Sequence, residues 1–210
     1  GYYNATLCDT VANNIDYVIL SFDGPPDIHD LHRPIPGGQS SYEVVANSAK
    51  RLSRGPAQLT IRSCVTQAST KRLAENVEWF CKEFHPHSIN VEPLRPTPLS
   101  SQAGLEPPDP WEFASAVHQA TRQALAYGIP VIYASARIDR IRTAFCPLGK
   151  DVPIVSPDGQ VNACYMQEND WQALGLDLYM GNWFQDKQPF SPDKEAIRRI
   201  RKLSQPDPIC

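Results

Sequence analysis

Cys146 and Cys164 bracket the segment CPLGKDVPIVSPDGQVNAC, in which Gly159 stands four residues before the second cysteine. Pro157-Asp158-Gly159 is a turn signal, so the flanking apolar residues, Ile154–Val155 and Gln160–Ala163, are expected to fold back as a hairpin. Such a hairpin carries the two sulfurs toward one another, and thiolates meeting in this way make half of a zinc or iron–sulfur site. Two cysteines do not complete four-coordination. Spacing alone also leaves open that both are small buried hydrophobes. Cys210 offers a thiol to a second half-site.

The other concentration of chemistry is SFDGPPDIHDLHRP, residues 21–34. An apolar run, Tyr17 to Phe22, ends at Asp23-Gly24-Pro25, and the chain then passes His29, Asp30, His32 and Arg33. For Arg33 the plain structural alternative to ligand binding is a loop ion pair with Asp27 or Asp30. Cys8, Cys64 and Cys81 read as core residues, Cys64 within a strand and Cys81 beside the apolar face of a helix. His85-Pro86-His87 reads as an exposed turn and His118 as a helix-surface residue. No Ser-His-Asp set, Walker loop or G-x-G-x-x-G motif is present, and Gly37-Gly38 marks only a loop.

These groups need elements to position them. Strand patterns fall at Tyr17–Phe22, Ala57–Val65, Ser88–Leu94 and Pro130–Ser135. Helix patterns fall at Thr6–Asn14, Ser41–Ser53, Thr70–Phe84 and Pro110–Tyr127, the last opened by Asp109 and stopped by Gly128. Tyr17–Phe22 is apolar at both parities, as in a central parallel strand. The β-α-β-α-β-α order predicts a parallel sheet or part of a βα barrel, with ligands at the C-terminal ends of the strands. Past residue 138 the pattern changes to short β segments and a basic helix, SPDKEAIRRIRKLS, with Ile197, Ile200 and Leu203 facing inward. The expected division is 1–138 and 139–210. Its basic face reads as solvated rather than as a docking site for an acidic partner.

Bulk properties narrow the classes further. A net charge of −3 and a pI near 6.0 give no electrostatic case for nucleic acid or an anionic membrane. Apolar runs are too short to span a bilayer, and no secretory signal pattern opens the chain. Six cysteines in 210 residues are too sparse for a disulfide scaffold, so reduced thiols in the cytoplasm are the expectation. Twenty prolines, clustered between elements, imply stiff and shaped connections.

Taken in order, these segments resemble radical S-adenosylmethionine enzymes that carry a C-terminal SPASM domain. The family's strand ending Ser-x-Asp-Gly-Pro, its acidic-His-Asp stretch, arginine, Gly-Gly loop and helix correspond to Ser21, Asp23, Gly24, Pro25, His29, Asp30, Arg33 and Gly37-Gly38. IRSCVTQASTKRLAEN and VEPLRPTP resemble the next strand–helix and strand. Cys146, Gly159 and Cys164 fit the opening Cys-x(9–15)-Gly-x4-Cys of SPASM, Met180-Gly181-Asn182 its Gly-Asn step, and Cys210 the start of its Cys-x2-Cys.

The resemblance implies an α/β fold: a partial, half TIM-like βα barrel followed by the start of a small Cys-rich domain with a hairpin and a helix. It implies reductive cleavage of S-adenosylmethionine by a 4Fe-4S cluster and hydrogen abstraction from a precursor peptide, with flavodoxin or ferredoxin as electron donor. Ser21 and Arg33 match positions that contact the methionine moiety, and an arginine suits a carboxylate through a charge-assisted bond. Leu94 matches a position that packs on adenine. Cys146 and Cys164 would ligate one auxiliary cluster and Cys210 another. The Cys-x3-Cys-x2-Cys motif of the catalytic cluster is absent from this sequence, which implies an internal piece of a longer enzyme, inactive alone. Tyr165 stands where sulfatase-maturing members carry a catalytic aspartate, which favours a maturase of a ribosomally made peptide. The alternatives are a cluster-free peptide or small-molecule binding protein of the same descent, and a plain zinc module.

Overall fold

The computed structural model describes residues 4–133, 148, 153–166, 168–182 and 193–203, in two compact units divided after Arg137. In the first unit the chain runs α1 (Ala5–Asn14), β1 (Tyr17–Ser21), α2 (Pro26–His32), α3 (Tyr42–Leu52), β2 (Gln58–Val65), α4 (Gln67–Thr70), α5 (Leu73–Phe84), β3 (Ser88–Pro93), α6 (Pro98–Gln102), α7 (Pro110–Leu125) and β4 (Val131–Ile132). The four strands pair parallel in the order β1-β2-β3-β4. This is the mixed α/β architecture that alternating strand and helix patterns require, since parallel neighbours need crossovers.

Register decides which residues share a face. Leu20, Ile61, Ile89 and Val131 align across the sheet, and so do Ser21, Arg62, Asn90 and Ile132. The first row belongs to the core face, where Leu20, Phe22, Leu59, Ile61, Ile89 and Val91 pack against Val45, Ala49, Val77, Phe80 and Ala120 of α3, α5 and α7. The opposite face is largely uncovered: Tyr17 is 68 % and Ile19 64 % exposed, and Arg62 is exposed.

Two strand expectations are therefore corrected. Tyr17–Phe22 is apolar at both parities, yet β1 is the edge of the described sheet and buries only one of its faces. Cys64, expected in the core, sits instead on the uncovered face in register with Glu92 and is half-buried. Alternation put it one residue out of phase with Ser63 and Val65, which are the buried positions.

Helix boundaries follow local chemistry. Asp109 caps α7 by accepting from the Trp111 and Glu112 N–H groups, with Pro110 opening the helix, and Gly128 (φ 68°) turns the chain away after it. The helix expected over Thr70–Phe84 is α5, beginning at Leu73; Thr70 instead closes the separate short α4, whose N-cap Thr66 forms a capping box with Ser69. The proline-rich stretch after β1, read as a loop, contains α2, because Pro26 occupies a first-turn position where its missing N–H is not needed.

The second unit holds β5 (Ile154–Val155), β6 (Gln160–Asn162), α8 (Glu168–Gln172), β7 (Tyr179–Asn182) and α9 (Lys194–Lys202). The strands form an antiparallel sheet, β5-β6-β7, with the β5–β6 turn closed at Gly159 (φ 86°). Val161, Trp171, Leu178, Met180 and Ile200 make its own core. Ile200 faces inward as expected and Ile197 is half-buried, but Leu203 is 46 % exposed at the helix end; Ala196, in the first turn, is the other buried position of α9.

Candidate functional site

Phe22, fully buried just past β1, anchors the start of the site. Its ring lies 5.1–5.8 Å, centroid to centroid, from His29, Tyr42, Trp79, Phe80 and Phe84, mostly edge to face. Its N–H donates to Arg62 O at 2.9 Å, so the β1–β2 pairing persists beyond the strand. Asp23 is thereby held against β2.

Asp23 is the hub. It is 2 % exposed, and its carboxylate accepts from Arg33 Nε at 2.7 Å and Nη2 at 3.2 Å, and from the Cys64 N–H at 2.9 Å. Ser63 Oγ donates to its carbonyl at 3.2 Å, and His32 Nδ1 stands 3.4 Å from Oδ2. Burial pushes this carboxyl up. His32, Arg33 and the Cys64 N–H pull it down by more, so the net direction is below the ordinary 3.8 and Asp23 is ionised. The alternative reading of Arg33, an ion pair with Asp27 or Asp30, is not what forms: its partner is Asp23. Asp27 pairs with Arg72, and Asp30 caps α3 through the N–H groups of Ser41 and Tyr42. Helix α2 explains why: it turns those two carboxylates away and returns the chain so that Arg33 meets the buried Asp23 ten residues earlier.

His29 is fully buried. Its Nδ1 accepts from the Asp23 N–H at 3.2 Å, which places the proton on Nε2, and Nε2 has no hydrogen-bond partner among the described residues. Burial, ahead of the opposing pull of the Asp23 charge, lowers its pKa from the ordinary 6.5. His29 is therefore a neutral imidazole with an unused buried donor, the kind of group that needs a stated reason in a native structure. Next to it, His32 Nε2 contacts Thr66 Oγ1 at 3.0 Å and ties α2 to the end of β2.

A cavity of about 220 Å³ opens at the end of β1, lined by Ser21, His29, Arg33, Ile35, Val44 and Val45 among others. Ser21 and Arg33, singled out from the sequence, are thus brought to one wall, together with His29. Arg33 keeps a side chain 40 % exposed, with its Nε–Nη2 edge taken by Asp23. Leu94 lies elsewhere. It follows β3 at the same C-terminal edge of the sheet, half-buried, with its N–H donating to Val65 O at 2.8 Å, and it does not line this cavity.

Of the thiols, Cys164 is half-buried against the core of the second unit, with the Met166 N–H 3.5 Å from its sulfur. Cys146 and Cys210 lie outside the described residues. No group of three His, Cys, Asp or Glu side chains able to hold a metal occurs among the described residues. Cys8 and Cys81 are buried core residues as expected, His85 and His87 are exposed, and His118 is on the surface of α7. No described helix is long and apolar enough to cross a membrane.

No protein-family model matches the sequence. Among solved structures, the chain is similar to native anSMEcpe with bound AdoMet, an anaerobic sulfatase-maturating radical SAM/SPASM enzyme, at a TM-score of 0.62 and 16 % identity. That match covers 97 % of this chain and 57 % of the other. The same enzyme with AdoMet and the Kp18Cys peptide matches at 0.62 and 16 %, over 95 % of this chain and 55 % of that one. The chain has the fold of part of a radical SAM enzyme and spans a little over half the length of these structures.

Proposed function

We propose that this chain is part of a radical S-adenosylmethionine enzyme that modifies a peptide, and that the cavity at the end of β1 takes the methionine end of S-adenosylmethionine. The observation that carries the reading is the convergence of Ser21, Arg33 and His29 on one cavity, with the buried His29 Nε2–H left without a partner among the described residues. A serine hydroxyl, a guanidinium and an imidazole N–H are all donors, and a carboxylate accepts from all three. The shared fold with an AdoMet-bound enzyme supports the choice of ligand. Leu94, at the same sheet edge, is assigned to the adenine.

The residues of this chain then hold and orient. Asp23 fixes the Arg33 fork in place and keeps the site near electrical neutrality, so a bound carboxylate meets positioned donors rather than a mobile charge. Neutral His29 donates a proton bond without titrating at pH 7. The described residues do not fit the catalytic iron–sulfur cluster: they hold no ligand triad and the sequence lacks Cys-x3-Cys-x2-Cys, so no step is drawn through it. Cys146 and Cys164 are proposed as ligands of one auxiliary cluster and Cys210 of another. Tyr165, 84 % exposed, replaces the aspartate expected of sulfatase-maturing enzymes, so the proposed substrate is a ribosomally made precursor peptide rather than a sulfatase.

Anaerobic reconstitution of the intact enzyme with iron and sulfide, followed by reductant and S-adenosylmethionine, tests this. Release of 5′-deoxyadenosine is expected, and a loaded, reduced enzyme that releases none excludes the reading.

A further inference from the structure

His32 bridges two buried groups. Its ring, with a side chain 4 % exposed, sets Nε2 3.0 Å from Thr66 Oγ1 at the end of β2 and Nδ1 3.4 Å from Asp23 Oδ2. A carboxylate only accepts, so the neutral ring carries its proton on Nδ1, and Nε2 accepts from the Thr66 hydroxyl. The contact with Asp23 is slack. Nδ1 is buried and makes no full hydrogen bond among the described residues, and the oxygen it faces is the one that Arg33 Nε holds at 2.7 Å. A charge-assisted N–H···O bond closes to about 2.7–2.9 Å, so a proton on the ring would draw this gap in.

The bridge accepts that proton without rebuilding. Both ring nitrogens of the imidazolium donate, and the Thr66 hydroxyl, now an acceptor from Nε2–H, turns its own proton toward Ser69 Oγ at 3.3 Å. Nδ1–H then competes with Arg33 Nε for Oδ2, while Arg33 Nη2 and the Cys64 N–H stay on Oδ1 at 3.2 and 2.9 Å. With His32 neutral, the charges of Asp23 and Arg33 cancel. With His32 protonated, the three carry one positive charge in excess, and it reaches the cavity through Arg33, which lines it and keeps a side chain 40 % exposed. The neighbouring groups do not share this response. Burial lowers the pKa of His29, and Cys64 stays a thiol, its pKa pushed up to about 11 by burial and by the Asp23 charge. Asp30 caps α3, and Asp27 is paired with Arg72.

We infer that His32 is a positioning residue of the cavity at the end of β1: on taking up a proton it pairs with Asp23, loosens Arg33 and strengthens the hold of the cavity on a carboxylate. The inference rests on the proposed function for its ligand and adds a regulation to that site, binding that tightens as pH falls. Imidazole suits the task, because it is the side chain that ordinarily changes charge between about pH 5 and 8.

The test compares wild type with His32→Gln, which keeps a donor and an acceptor but has no proton to gain. Calorimetric affinity of the intact protein for S-adenosylmethionine is measured anaerobically from about pH 8 to about pH 6. The ligand's own α-amino group titrates near the top of this range, so the readout is the ratio of wild-type to H32Q affinity at each pH. That ratio should rise roughly three- to tenfold as pH falls, a tenfold change being one pKa unit of linkage. Binding should also take up a proton that H32Q does not, seen in buffers of different ionisation enthalpy. A second measurement needs neither ligand nor variant: the His32 ring and Arg33 Nε–H resonances of the wild type should titrate together. Parallel affinity profiles in wild type and H32Q overturn the inference, and so does a His32 ring that titrates while Arg33 Nε–H stays fixed. If S-adenosylmethionine binding still depends on Ser21 and Arg33, either result leaves the proposed function standing. Coupled His32 and Arg33 titrations in a protein that binds no S-adenosylmethionine at any pH sink the proposed function and keep the switch.

Discussion

Asp23 carries more of the site than any other residue: its carboxylate binds Arg33 and the β2 backbone and stands 3.4 Å from His32 Nδ1, and its N–H donates to His29. Asp23→Ala leaves Arg33 and the Cys64 N–H without an acceptor, and a loss of about 2–3 kcal/mol in denaturant unfolding is expected. That figure is set below the range for a wholly buried pair because the Arg33 side chain is 40 % exposed. The pH dependence has two windows. His29 titrates below its ordinary 6.5 when folded, so as pH falls through 6.5 the unfolded chain gains a proton that the native one refuses, and stability declines. Asp23 is depressed below 3.8, so its contribution is complete above that value and is lost as pH falls through its lower native pKa. Thermal melts between pH 8 and 3 (a range chosen to span both windows, roughly two ordinary pKa values) should show both declines. His29→Gln should remove the first and keep the second.

At the scale of elements, the strands and helices of the first unit were legible because apolar spacing, Asp109-Pro110 and the glycine stops all agree locally. The α7 cap is a simple check: Asp109→Ala should cost about 1 kcal/mol, read as a lower Tm with the site intact. What alternation did not reveal was the coverage of each face. Tyr17, Ile19 and Cys64 look like core residues in sequence, and only the sheet order shows that their faces are open. Hydrogen exchange should register this, with Tyr17–Ser21 amides less protected than Gln58–Val65, where both neighbours are paired. The site was half legible. Ser21 and Arg33 stood out through a motif, whereas the Asp23 hub and the orphaned His29 depend on α2 forming, and prolines had masked α2 as a loop. A signal existed in Pro26 followed by seven helix-compatible residues.

For the molecule as a whole, each unit has its own core, one built around the parallel sheet and one around Trp171. Trp171→Ala should destabilise the second unit by about 3–5 kcal/mol and leave exchange protection of β2 and β3 unchanged. The fold is similar to that of part of a radical SAM enzyme, and the proposed function rests on residues rather than on that likeness. The most direct test is therefore the affinity of the intact protein for S-adenosylmethionine, measured anaerobically for wild type, Ser21→Ala, Arg33→Gln and Arg72→Gln. The account predicts saturable binding, weakened about tenfold by R33Q and several-fold by S21A through lost hydrogen bonds, and unchanged by R72Q, whose ion pair with Asp27 is on the surface. Binding that is absent, or that is indifferent to both Ser21 and Arg33, would contradict it.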